Sequence, residues 1–132
     1  MSDDDFLRAL EEGTLSPSAF DHAAHIRAGY LYLTRLAFTD AIDAMRRAVK
    51  GVAARNGKDG LYHETITVAF MTLINERRAQ GGGDWEDFRA THGDLFTGNP
   101  LAGYYSRERL ESPLARRIFL LPDRVGPRRA AA

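Results

Sequence analysis

Three of the four histidines in this 132-residue chain lie in two short segments whose composition could support chemistry. His22 and His25 are three residues apart, and His63 is followed directly by Glu64. Two imidazoles at positions i and i+3 of one helix can bind the same metal ion, and a third from a facing helix would complete three protein ligands. Such a set leaves one coordination position open for water or a substrate, as a catalytic site requires.

Both segments are predicted to be helical, and a helix turns by about 100° per residue. This repeat places His22 and His25 on either side of an apolar stripe on the second predicted helix. It places His63 within the apolar stripe of the fourth predicted helix. Gly29, one turn after His25, is expected to leave room beside the two rings. The sequence therefore predicts that imidazoles from two helices turn inward and meet.

The expected ligand at this site is a divalent transition metal, with iron or zinc in first place. The chain offers imidazoles and no thiolate, so zinc, iron, nickel and copper all fit, and ligand type alone does not choose among them. Glu64 is interpreted as a catalytic acid or base, as a fourth ligand, or as the acceptor that orients an imidazole. The first functional interpretation is therefore a buried metal-binding site, enzymatic in character, that acts on a small molecule.

The alternative is a non-enzymatic module, which binds a small ligand or is only structural. In it the same histidines form a buried hydrogen-bond network. Spacing does not decide between the two, because H-x-x-H is much less specific than H-E-x-x-H, which this chain lacks.

Apolar periodicity, prolines and glycines predict an all-α fold, a compact single-domain helical bundle of three long helices plus several short ones. The first predicted helix is short, and three long helices follow it: Asp3–Glu12, then about 17–38, 40–55 and 60–79. Shorter helical pieces are predicted after Asp84 and at about 101–105, 107–110 and 113–119. The single domain is expected to cover 1–132, with a flexible tail from about 122 to 132.

Composition and charge limit which partners and which cellular location are expected. Eighteen basic residues balance eighteen acidic ones, so neither nucleic acid nor an anionic membrane is an expected partner. No apolar run approaches the roughly 18 residues needed to span a bilayer. The acidic N-terminal residues do not resemble a signal peptide, and the chain has no cysteine, so the expected location is the cytoplasm. The sequence leaves a homodimer open.

Several of these motifs together resemble a family of small, largely uncharacterised bacterial proteins. The resemblance covers about residues 18–124. It rests on Phe20-x-His22-x-x-His25-x-Arg27, on the segment Gly60-Leu61-Tyr62-His63-Glu64-Thr65-Ile66-Thr67, on Tyr104-Tyr105-Ser106, and on Ala115-Arg116-Arg117 ahead of Leu121-Pro122-Asp123. It implies a single helical domain with a polar centre built on His22, His25, His63 and Glu64, with Arg27 as a further candidate.

Overall fold

The computed structural model describes residues 1–81 and 83–124, and within them the chain is all-α with no strand. This confirms the predicted fold class. In chain order the helices are α1 (Asp3–Glu12), α2 (His22–Arg35), α3 (Phe38–Arg55), α4 (Glu64–Ala79), α5 (Trp85–Thr91), α6 (Arg107–Glu111) and α7 (Pro113–Arg117). Single 3-10 turns lie at Pro17–Ala19, Asp59–Leu61, Gly93–Phe96 and Pro100–Gly103.

The three long helices α2, α3 and α4 all contact one another, and the hydrophobic core lies between them. Ile26 on α2 and Met71 and Ile74 on α4 are among its fully buried side chains. Helix α1 packs against α3, and α7 packs against α4. Every helix in the described part of the chain is too short or too polar to cross a lipid bilayer.

Helix α1 begins and ends where the sequence predicts. Ser2 Oγ accepts a hydrogen bond from the Asp5 N–H at 3.1 Å, which caps its N-terminus. Gly13 has φ 79°, in the left-handed region, and its N–H bonds back to the carbonyl oxygens of Ala9 and Leu10. A side chain with a Cβ would be strained in that conformation, so glycine ends the helix cleanly.

The second predicted helix is wrong at its N-terminus. Residues Pro17–Ala19 form a separate 3-10 turn, and α2 begins only at His22. The reason is Asp21, whose Oδ1 accepts a hydrogen bond from the Ala24 N–H at 2.9 Å while its own backbone is extended. An aspartate in this geometry is a helix N-cap. Phe20 therefore lies outside the helix.

The fourth predicted helix begins later than predicted and ends at Ala79, as predicted. Asp59–Leu61 form a 3-10 turn, and α4 begins at Glu64. His63 has extended backbone angles, φ −127° and ψ 107°, and is the N-cap of α4 rather than a residue within it. Its position relative to the apolar stripe of α4 consequently follows from the turn before the helix and not from the helical repeat.

Two aromatic side chains of α5 pack against α2. Asp84 and Asp87 form a reciprocal capping box at the start of α5. This helix places the Phe88 ring 4.5 Å and the Trp85 ring 5.8 Å, centroid to centroid, from the ring of Tyr30 on α2. The Tyr30 hydroxyl donates to the Gly83 carbonyl oxygen at 2.6 Å, which ties the loop to the bundle.

The chain after α7 is held by hydrogen bonds to the bundle, and α7 itself ends at Arg117, two residues before the predicted end. Asp123 accepts hydrogen bonds from the N–H and the hydroxyl of Ser106 at 2.7 and 2.6 Å. The Arg124 N–H donates to the Tyr104 carbonyl oxygen at 2.9 Å. The rest of the predicted flexible tail, residues 125–132, lies outside the described residues.

Thr65 is the buried polar side chain that fastens the segment after α7 to α4. Its hydroxyl donates to the Ile118 carbonyl oxygen at 2.8 Å and accepts from the Leu120 N–H at 3.0 Å. Both main-chain groups would lose their partner if the hydroxyl were removed.

Thr65→Val is expected to lower the free energy of unfolding by about 2 kcal/mol, since valine keeps the shape and removes both hydrogen bonds. Thr65→Ser, which retains the hydroxyl, is the control and should lose less. Urea denaturation of the three proteins measures the difference. Equal stability of the valine and serine variants would contradict this account of Thr65.

Candidate functional site

A cavity of about 430 Å³ lies among α2, α3 and α4 and the turn that precedes α4. Its volume falls within the range of small-molecule binding sites. Most of its lining is apolar, and the polar members are Asp21, the three predicted histidines and Thr67. The apolar members are Phe20, Ile26, Met45, Val49, Leu61, Ile66, Phe70, Met71 and Ile74.

Gly29 allows α2 and α4 to approach closely beside this cavity. A Cβ atom at Gly29 would lie 2.9 Å from Met71 Sδ and 3.2 Å from Ile74 Cδ1, closer than side chains normally pack. The room that the sequence predicts beside Gly29 is therefore taken by these two side chains. Both side chains also line the cavity.

His22 is the first residue of α2 and is exposed. Its Nε2 lies 3.0 Å from the carbonyl oxygen of Leu95. A carbonyl oxygen only accepts, so Nε2 carries the proton. The rings of His22 and Phe70 pack edge to face, with their centroids 5.6 Å apart. His22 thus joins the start of α2 to the turn at Gly93–Phe96.

His25 is half-buried and stacks on Phe20, with ring centroids 3.8 Å apart. Its Nδ1 donates to the Asp21 carbonyl oxygen at 2.7 Å. Burial lowers the pKa of His25 from its usual 6.5, an effect that the hydrogen bond to Asp21 opposes and the neighbouring His22 reinforces. The ring is consequently neutral at pH 7, with a lone pair on Nε2.

His63 uses both ring nitrogens within the fold. Nδ1 accepts from the Ile66 N–H at 3.0 Å, which caps α4. Nε2 donates to the Leu110 carbonyl oxygen at 2.7 Å, which connects the start of α4 to α6. The neutral ring protonated at Nε2 is the form that satisfies both contacts.

The predicted metal site is wrong. The structure brings His22, His25 and His63 to one cavity, but each ring gives a proton to a main-chain carbonyl oxygen, and His63 has no lone pair left. Within residues 1–81 and 83–124 no group of three or more His, Cys, Asp or Glu side chains could hold a metal ion. None of the three rings is buried either, which also removes the buried hydrogen-bond network of the alternative.

Glu64 does not line the cavity, so it is not placed to act with the histidines as ligand, acid or base. Its carboxylate binds the Arg46 guanidinium through two hydrogen bonds of 3.0 and 2.8 Å and accepts a third from the Tyr62 hydroxyl at 2.6 Å. The Arg46 hydrogen bonds lower the pKa of Glu64 against the opposing effect of burial. This carboxylate joins α3 to the start of α4.

Arg27, which the resemblance adds to the polar centre, also lies outside the cavity. Its guanidinium donates to Asp3 at 2.7 Å and to the Met1 carbonyl oxygen at 3.0 Å, and it lies over the Phe6 ring. Arg27 therefore holds α1 against α2.

Two contributions to the cavity were not predicted from the sequence. Asp21 caps α2 and so sets the start of the helix that carries His22 and His25; the signal was an aspartate three residues before a helical N–H. Met45 and Val49 of α3 supply a wall. Both are apolar residues at helical spacing, and nothing in the pattern distinguishes a residue that lines a cavity from one that fills the core.

Glu64→Gln is expected to reduce the free energy of unfolding by roughly 1–2 kcal/mol, because it removes a partly buried ion pair. Since the folded pKa is below the usual 4.5, the stabilisation from Glu64 is complete above that pH and is lost as the pH falls further. Denaturation at pH 7 and pH 3 measures both effects. A variant that loses equal stability at the two pH values would contradict the ion pair's role.

His25 should make stability depend on pH in a different window. Because burial lowers the pKa of His25 in the folded protein, the unfolded chain takes up the proton more readily. The contribution of neutral His25 to stability is therefore complete above pH 6.5 and falls as the pH drops below it. The stability of the natural protein relative to His25→Gln should therefore rise between about pH 5 and pH 7. Urea denaturation at several pH values measures the free energy of unfolding of both proteins. If the two values change with pH in parallel, His25 is not the source of the pH dependence.

No family model, curated protein sequence or solved structure matches this chain. The resemblance to small bacterial proteins stays a prediction. The function is therefore argued from the geometry of the cavity and the chemistry of its lining.

Proposed function

We propose that this protein binds a small, mostly apolar molecule in the cavity lined by His22, His25 and His63. The observation that carries the proposal is the cavity itself, about 430 Å³ between three core helices. The cavity is partly open to solvent, and its size and mostly apolar lining are typical of small-molecule binding sites.

The lining favours an apolar occupant. Isoleucine, methionine, valine, leucine and phenylalanine side chains form most of it. Transfer of a methylene group from water to such surroundings is worth about 0.8 kcal/mol, so a molecule of modest size gains useful affinity from burial alone. A few polar groups on one side would then fix its orientation, which is the usual composition of a small-molecule site.

Exposed side chains offer a route into the cavity. Leu61 and Ile66 both line it and retain 63% and 38% of their surface in contact with solvent. They flank His63 at the start of α4. An apolar molecule could therefore enter beside this turn without unfolding the core.

The histidines also support a structural role, which is the second candidate. His22 and His63 join the starts of α2 and α4 to Leu95 and Leu110, far along the chain. This role is compatible with ligand binding, because the contacts hold the rings in place beside the cavity.

Naphthalene is a suitable test molecule because it is apolar, rigid and uncharged. We expect it to raise the melting temperature of the protein, since a ligand that binds only the folded state stabilises it. Val49→Phe places a ring on the cavity wall and should abolish the shift. Val52→Phe makes the same change one turn further along α3, outside the lining, and should preserve it. Scanning calorimetry of the three proteins with naphthalene measures the effect.

Two outcomes would overturn the proposed function. The first is that naphthalene leaves the melting temperature of the natural protein unchanged. The second is that Val49→Phe and Val52→Phe, both folded by circular dichroism, respond to naphthalene equally.

A further inference from the structure

The side-chain donors around the cavity are all used within the protein. Four lining residues carry a side-chain N–H or O–H group that donates to a main-chain carbonyl oxygen at 2.7–3.0 Å: His22, His25, His63 and Thr67. The other lining side chains, apart from Asp21, are aliphatic, aromatic or thioether groups without such a donor. The cavity therefore has no side-chain donor left to offer a ligand.

Acceptors remain. Since His25 Nδ1 donates to Asp21, its Nε2 carries a lone pair, and Nε2 makes no hydrogen bond to any residue in the described part of the chain. His25 is half-buried and lines the cavity, and within the described residues its Nε2 is not among the fully enclosed polar atoms that lack a partner. Nε2 therefore keeps accessible surface.

The charge around the cavity also has one sign. Asp21 is an acidic lining residue, and the lining contains neither lysine nor arginine. An anion placed here would lose its hydration without gaining a cationic partner. A carboxylate ligand would in addition face the like charge of Asp21.

Residues at the N-termini of α2 and α4 line the cavity, and a helix N-terminus by itself favours an anion. In both helices, however, a side chain already accepts from the first turn. Asp21 accepts from the Ala24 N–H at 2.9 Å and His63 accepts from the Ile66 N–H at 3.0 Å. The caps thus occupy a donor in each helix, and in α2 the cap itself brings a carboxylate.

We infer that the cavity selects uncharged apolar molecules that carry one hydrogen-bond donor, such as a phenolic or alcoholic hydroxyl or a ring N–H, and that it discriminates against anions of the same size. The inference rests on the proposed function. In it His25 Nε2 accepts the ligand's hydrogen bond, and Asp21 repels a carboxylate.

The experiment compares three molecules of one skeleton by calorimetric titration at pH 7.5: naphthalene, β-naphthol and β-naphthoate. We expect β-naphthol to bind about tenfold more tightly than naphthalene, the worth of one added hydrogen bond. We expect β-naphthoate to bind at least tenfold more weakly than naphthalene.

Two variants locate the effect. His25→Phe keeps the aromatic stack on Phe20 and removes the acceptor, so β-naphthol and naphthalene should bind it equally; His25→Leu is a second variant should the phenylalanine prevent folding. Asp21→Asn retains a good helix cap and removes the charge, so it should strengthen β-naphthoate binding several-fold. Glu64 lies outside the lining, so the control variant Glu64→Gln should leave all three affinities unchanged.

The outcomes separate the two claims. If naphthalene itself does not bind, the proposed function fails and the inference fails with it. If naphthalene binds but β-naphthol gains nothing over it, or β-naphthoate binds best, the inference alone is overturned. A β-naphthol preference that persists in both His25 variants would also overturn it, because the acceptor would then lie elsewhere.

Discussion

The close approach of α2 and α4 at Gly29 is the constraint on which the rest of the site depends. No Cβ stands between the helices there, so Met71 and Ile74 pack directly against the backbone of α2. The same two side chains line the cavity. The absence of a side chain at Gly29 therefore leaves room for two residues that pack against α2 and also line the cavity.

Main-chain carbonyl oxygens decide what the histidines can do. Free imidazoles near a cavity could bind a metal, but the rings of His22, His25 and His63 each donate a hydrogen bond to a main-chain carbonyl oxygen. Those oxygens come from a nearby turn, from a helix cap and from the last turn of α6. The result is a set of rings fixed in tautomer and orientation. His25 keeps a lone pair on Nε2, whereas both nitrogens of His63 are used, so the three rings do not form a coordination sphere.

The fold class and several local features could be predicted from the sequence because their causes are local. Helix α1 begins at the Ser2 cap and ends at Gly13, as its residue types indicate. Asp84 caps α5 and directs Trp85 and Phe88 into the bundle. Capping, glycine conformation and apolar periodicity act over a few residues, so the order of residues alone contains the information.

The composition of the site was decided by contacts between segments distant in the chain. The sequence alone indicated that His22, His25 and His63 belong to two helical segments with an apolar face, and the structure placed them at the starts of α2 and α4. Only the tertiary structure assigned Glu64 to Arg46 on α3 and gave His63 a partner in Leu110, 47 residues away. The physical reason is that a polar side chain takes whichever donor or acceptor the packed helices bring within about 3 Å, and helix packing is a property of the whole chain.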